Sequence, residues 1–199
     1  MIPTLGPLEK CGTFTVKSFY KFLIDGGTRS PLYPLFWKIR CPSKITLLSW
    51  LAGEDKILTL SNIFKKGCNF QHSTDTCVLC HNSSETLQHL FIDCEFSKRI
   101  WAFFYHSLDS SSLPQSIPYL WTSWIPSLAP QSQPLWDLVS RAILWNIWLE
   151  RNSRIFQLLA LPQLSTIFKT VNMLLSWFPT VADRHQQSLT EASQKSSVL

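Results

Sequence analysis

The chain has 199 residues, of which 45% are hydrophobic and 16% charged, and it carries 13 Phe, 9 Trp and 4 Tyr. So many aromatic and so few charged side chains exclude a disordered polymer and leave room for one globular domain, or one and a half. The formal net charge is +5, with 12 basic against 8 acidic side chains over residues 1–106 and 6 against 5 over residues 107–199. Phosphate-binding proteins commonly use about 6–10 basic contacts, so this excess permits nucleic-acid binding without requiring it.

In chain order the pattern predicts helix after helix, a mainly α fold. Thr15 is an N-cap for Val16, Phe19, Tyr20 and Leu23, with Phe14 able to staple onto Phe19, and Gly26-Gly27 stops the helix. A short apolar segment begins at Leu35-Phe36-Trp37. A helix then starts at Pro42-Ser43 and runs through Ile45, Leu47, Leu48, Trp50, Leu51 and Ala52; being apolar nearly all round, it belongs in the middle of the fold. Thr59 caps a further helix with Leu60, Ile63 and Phe64 inward, Lys65-Lys66 in its last turn and Gly67 at its end. Ser84-Glu85 starts a short helix through Leu87, Leu90 and Phe91 that carries His89. The next helix sets Phe96, Ile100, Phe103 and Phe104 inward.

Residues 107–134 are rich in Ser and Pro and form the candidate boundary, although Trp121 and Trp124 would be costly to leave in water. Two long helices close the chain. One runs from Leu135 to about Gln157, with Leu138, Ala142, Trp145, Trp148, Leu149, Asn152 and Ile155 on one face. The other runs from Gln163 to Phe178, with the stripe Leu164, Ile167, Phe168, Val171, Leu174, Leu175 and Phe178. Leu161-Pro162 between them predicts an antiparallel hairpin. The polar tail from Asp183 is expected to be disordered. The expected organisation is therefore an N-terminal extension at 1–13, a small helical domain at 14–106, the linker at 107–134, the helical hairpin at 135–182 and a tail at 183–199.

No apolar run reaches the roughly 20 residues that cross a bilayer, and MIPTLGPLEKCG lacks the basic start and apolar core of a signal peptide. The expected setting is intracellular, nuclear or cytoplasmic, neither secreted nor on a membrane. In a reducing compartment six cysteines argue against a disulfide scaffold and make closely spaced ones metal candidates. Cys77, Cys80, His89 and Cys94 read C-x2-C-x8-H-x4-C. A two-residue gap puts both sulfurs on one side of a tight turn, and Cys3His is a common structural zinc set. Four protein ligands fill the tetrahedron, so one structural Zn2+ is expected, with no site for an activated water. Three thiolates and one dication would take the net charge to about +4. A Cys77–Cys80 disulfide and a redox dithiol are the weaker alternatives. His81 is a cramped competing ligand, and Cys11, Cys41 and Cys68 lie outside the pattern. The segment 72–94 holds few apolar residues, so it should unfold locally without metal.

Around these ligands, FTVKSFYKFL at 14–23, FWKIRCPSKITLLSWLA at 36–52, LTLSNIFKKG at 58–67, CVLC at 77–80, ETLQHLFIDC at 85–94 and Trp101 occur in order. Together they resemble the zinc-binding domain that follows the polymerase in plant LINE-type (non-LTR) retrotransposon reverse transcriptases. ILWNIWLERNSRIF at 143–156 is similar to what commonly follows there. The resemblance implies that Cys77, Cys80, His89 and Cys94 are the family's metal ligands. No Tyr-x-Asp-Asp-like signature and no set of acidic residues on strands accompanies it, and two-metal polymerase or nuclease chemistry needs clustered carboxylates. The chain is thus expected not to be an enzyme, and to take no small-molecule substrate.

The leading expectation is a non-catalytic module that binds RNA or DNA, through Lys56, Lys65, Lys66, Lys98 and Arg99, or meets other parts of a retroelement polyprotein; Phe70 could stack on a base. The rival is a structural or protein-interaction domain in which zinc only stabilises the fold, with Trp145, Trp148 and Trp177 as core. A degenerate retroelement fragment with no maintained activity is the third reading. Arg151-Asn152 could cap or clamp neighbouring backbone.

Overall fold

A computed structural model describes Phe36 and residues 41–66, 74–107 and 113–177. The cap at Thr15, the staple at Phe14, the stops at Gly26-Gly27 and Gly67, Cys11, Cys68, Phe70, Phe178 and the tail from Asp183 lie outside those residues. Within them the chain is helical, and its extended pairing is a single antiparallel bridge between Thr76 and Ser84. No described helix is long and apolar enough to cross a membrane.

Helix α1 (Ser43–Gly53) follows Pro42, whose ring fixes the entry geometry. It buries Ile45, Leu48 and Ala52 together with Thr46 and Ser49, and the Ser49 hydroxyl is satisfied by donating to the Ile45 carbonyl at 2.9 Å. Leu47 stays 45% exposed. The expectation of burial all round therefore fails on one side: a helix is buried only where a neighbour lies against it, and small polar residues take part of the inner face here.

Helix α2 (Leu60–Lys65) is capped as predicted, with the Thr59 hydroxyl accepting from the Asn62 amide at 3.3 Å. Leu60 and Ile63 point inward, while Phe64 is 40% exposed. Helix α3 (Glu95–Ser107) buries Phe96, Ile100, Trp101 and Phe104; Phe103, expected inward, is exposed. Trp101 replaces it because its indole Nε1 finds the Phe91 carbonyl at 2.8 Å, so a large amphipathic ring can be buried without an orphaned donor.

The Ser/Pro-rich stretch contains two single-turn helices, α4 (Ile117–Tyr119) and α5 (Ile125–Ser127), joined by a π-helical turn at Leu120–Trp124. Ile117, Leu120, Trp121, Trp124 and Ile125 are buried in the same apolar cluster as Phe91, Ile100, Ile143 and Leu174. Trp124 stacks edge-on against both Trp101 (6.4 Å) and Trp136 (5.1 Å), which links α3 to the long helix behind it.

That helix, α6 (Gln133–Asn152), has Pro134 in its first turn and runs into a π-helical turn at Ser153–Gln157. Leu158 then reverses the chain in the left-handed region (φ 55°), and residues 163–177 form α7. Pro162 sits between them. The buried side of α6 keeps Leu138 and Ala142 of the predicted stripe but adds Val139, Ile143, Asn146, Ile147 and Glu150, and Leu149 is 43% exposed. In α7 the predicted stripe is only partly buried. Thr166, Ile167, Thr170 and Leu174 face inward, and Leu164, Phe168 and Leu175 are each more than half exposed. Two overlapping helical stripes exist in this sequence, and the one with small threonines is the one that faces inward.

Candidate metal centre

The site is built by two local devices. The first is a loop closed by the Thr76–Ser84 bridge, with the Cys77 amide donating to Ser83 (2.8 Å) and the Glu85 amide to Asp75 (2.7 Å). Inside it Val78 and Leu79 turn the chain so that Cys77 and Cys80 face the same way. His81 adopts φ 59° and gives its amide to the Cys77 carbonyl at 2.8 Å. Its ring is exposed and stands outside the ligand cluster.

The second device is a π-helical turn at His89–Asp93. In an α-helix residues five apart lie about 140° apart around the axis, because each residue turns roughly 100°. The wider i→i+5 winding, closed here by the Cys94 amide on the His89 carbonyl at 2.7 Å, brings His89 and Cys94 onto one side. The x4 spacing of the sequence thus acquires a geometric reason. The turn is held by the Ser97 hydroxyl on Leu90, Trp101 on Phe91 and the Thr86 hydroxyl under the His89 amide. The sequence places the start of the helix at Ser84-Glu85, but helical structure begins only at Leu87, and Glu85 is instead buried, for a reason given below.

The donor atoms of Cys77, Cys80, His89 and Cys94 all lie within 4.8 Å of one another. Cys80 Sγ is 3.2 Å from His89 Nε2, and Cys77 Sγ is 4.0 Å from Cys94 Sγ. For a tetrahedral zinc with bonds of about 2.3 Å to sulfur and 2.0–2.1 Å to nitrogen, ligand–ligand edges come to roughly 3.5–3.8 Å. The observed pairs straddle those edges. Cys77 and Cys94 are fully buried, Cys80 and His89 half-buried, and the described cysteines, Cys41 included, are free thiols.

Electrostatics fit a cation as well. The hydrogen bond with Cys94, then burial, pushes the Cys77 thiol far above its ordinary range, while the same bond pulls Cys94 down. Metal binding would take the place of the thiol protons, since zinc is bound by thiolates. Burial lowers the His89 pKa below 6.5 and favours the neutral, ligating imidazole. The cofactor that suits this set is one structural zinc ion, with every tetrahedral position taken by protein.

What the sequence did not reveal is how the site is braced from the end of α6 and the π-helical turn that follows it. Arg154 donates to the Val78 (3.2 Å) and Leu79 (3.1 Å) carbonyls inside the Cys77–Cys80 turn, and to Leu161 (3.0 Å). It pairs with Glu150 at 2.8 Å and lies over the Phe96 ring at 4.9 Å. One turn earlier, Arg151 pairs with Glu85 at 2.8 Å, both side chains essentially buried, and reaches the Leu58 carbonyl. The same Glu85 oxygen accepts the Leu60 amide at 2.9 Å, placing a carboxylate at the N-terminus of α2. The sequence allowed Arg151-Asn152 a cap or clamp on neighbouring backbone; the partners of Arg151 instead lie 66 and 93 residues away. The Glu150–Arg154 spacing of four was the visible hint.

The five cations singled out for nucleic acid fall in three places: the α1–α2 connection, the end of α2, and α3. Lys56 stands near Glu54 (4.0 Å) and over Trp50, just before α2, and Lys65 and Lys66 are exposed at its end. Lys98 and Arg99 are exposed on α3, where Arg99 pairs with Glu95 and Lys98 is close enough to act on His89.

Residues 14–101 match the family described as zinc-binding in reverse transcriptase. A protein of Arabidopsis thaliana named "Putative ribonuclease H protein" is 23% identical over 167 residues, covering 73% of this chain and 24% of its own length. The chain thus spans about a quarter of that relative. No solved structure matches.

Proposed function

We propose that this chain, whose residues 14–101 belong to the family of zinc-binding domains in reverse transcriptases, is a non-catalytic, retroelement-derived module that binds nucleic acid. Cys77, Cys80, His89 and Cys94 hold its one zinc. The observation that carries the reading is the closed Cys3His set: with no exchangeable ligand, the ion organises a surface instead of activating water. Exposed cations support the reading: Lys98 and Arg99 lie on the helix that leaves Cys94, and Lys65-Lys66 at the end of α2. RNA or DNA is the partner, alongside other parts of a polyprotein, in an intracellular setting.

Binding of the zinc-loaded chain to single- and double-stranded RNA and DNA across a salt series tests this. Lys65→Glu/Lys66→Glu should weaken binding and flatten the salt slope, since each phosphate contact contributes about 0.7–0.9 to it. No micromolar binding at low salt would sink the proposal. A second reading, a structural or protein-interaction domain, draws on a specific observation. Arg141, Arg151 and Arg154 are all in ion pairs with little or no exposure, so much of the C-terminal positive charge faces inward.

A further inference from the structure

A groove of about 510 Å³ runs beside α1 and between α6 and α7. That volume lies within the roughly 300–1,000 Å³ of ordinary small-ligand sites. Its chemistry is one-sided. Lys44 and Lys169 stand on different helices, the indoles of Trp145 and Trp177 form apolar wall, and Asn146, Asn172 and Ser176 supply polar atoms. No carboxylate lines it, and neither lysine has an acidic partner among the described residues. Lys56 and Arg99, by contrast, each face a glutamate. Lys44 instead sits 5.1 Å from the centre of the Trp145 ring, which keeps a cation beside an aromatic surface. Asn146 is 3% exposed, and its side-chain amide donates to the Ala142 carbonyl at 2.9 Å and contacts Met173 Sδ.

An anion-attracting rim beside an aromatic wall suits a ligand made of planar rings joined by phosphates. We infer that this groove is a single-strand nucleic-acid subsite: an unstacked base lies against the tryptophan wall, and the flanking phosphates meet Lys44 and Lys169. A duplex is the wrong shape, since its bases are stacked away from any wall. The inference rests on the nucleic-acid reading above but is separate from the Lys65-Lys66 surface. It gives the C-terminal helices a share in binding.

The full zinc-loaded chain should be titrated by fluorescence anisotropy with an 8-nucleotide oligo(U), an 8-nucleotide oligo(dT) and a short DNA duplex. Lys44→Gln/Lys169→Gln should reduce the single-strand salt slope by about 1.4, two contacts at about 0.7 each, while leaving the melting curve in place because both lysines are exposed. Ultraviolet cross-linking to 4-thiouridine-substituted oligo(U) should mark the peptides that contain Trp145 or Trp177. A wild-type chain that binds, with unchanged slope in this variant and cross-links only elsewhere, overturns the groove and leaves the nucleic-acid reading intact. Duplex binding preferred over single strands, equally indifferent to Lys44 and Lys169, does the same. Absence of binding to all three probes overturns both.

Discussion

Replacing Arg154 by Met tests whether the zinc turn is braced from outside its own segment. Methionine keeps most of the apolar stem against Phe96 but removes the guanidinium, so the carbonyls of Val78, Leu79 and Leu161 lose a donor. Glu150, only 2% exposed at its side chain, would keep its bond from the Leu161 amide (2.8 Å) but lose its counter-charge. Breaking one side of a buried pair costs roughly 3–5 kcal/mol. Arg154 retains 15% exposure, which favours the lower end, about 3 kcal/mol. For a chain of this length that corresponds to a fall of roughly 6–12 °C in melting temperature. Zinc affinity, measured by competition with a chromophoric chelator, should fall about 10–100-fold, as it does when partners that orient ligands are removed. Adding Glu150→Gln should recover part of the stability by removing the unpaired charge, and little of the zinc affinity. A variant with a lowered melting temperature and wild-type zinc affinity would refute the bracing argument, as would one altered in neither.

Arg151→Met should be more costly than Arg154→Met, about 4–5 kcal/mol by thermal or urea unfolding, because both members of the Glu85 pair are essentially excluded from water. Mass spectrometry of the native protein should find one zinc per chain, absent in Cys77→Ser. Chelation should abolish hydrogen-exchange protection over residues 76–94 while α6, anchored by Val139, Ile143 and Ile147, keeps it. His89 has a pKa in the folded chain below the ordinary 6.5, so the folded state binds fewer protons than the unfolded state. Its contribution is complete above pH 6.5 and is eroded as pH falls from there through the folded value. Stability of the metal-free chain should therefore decline in that direction, and zinc loading with it; a melting temperature flat below pH 6.5 would contradict this.

The zinc ligands were legible because their information is local. C-x2-C-x8-H-x4-C confines four donors to 18 consecutive residues, and a short turn plus a π-helical turn suffice to converge them. The Thr59 cap and the helical identity of α1, α3, α6 and α7 were legible for the same reason, since capping and helical periodicity act over a few residues. Which way those helices face was not. Leu47, Phe103, Leu149 and Phe168 satisfy helical spacing as well as their buried neighbours do, and only the position of the packing partner separates the two. The braces of the metal centre are equally invisible in one dimension. Arg154 meets Val78 across 76 positions, and Arg151 meets Glu85 across 66. No sequence pattern ties such residues together, because a buried charge is stabilised by whichever carboxylate or carbonyl the fold brings beside it. The sequence by itself determined that a metal could bind and which four donors converge. The tertiary structure decided what holds those side chains in turn.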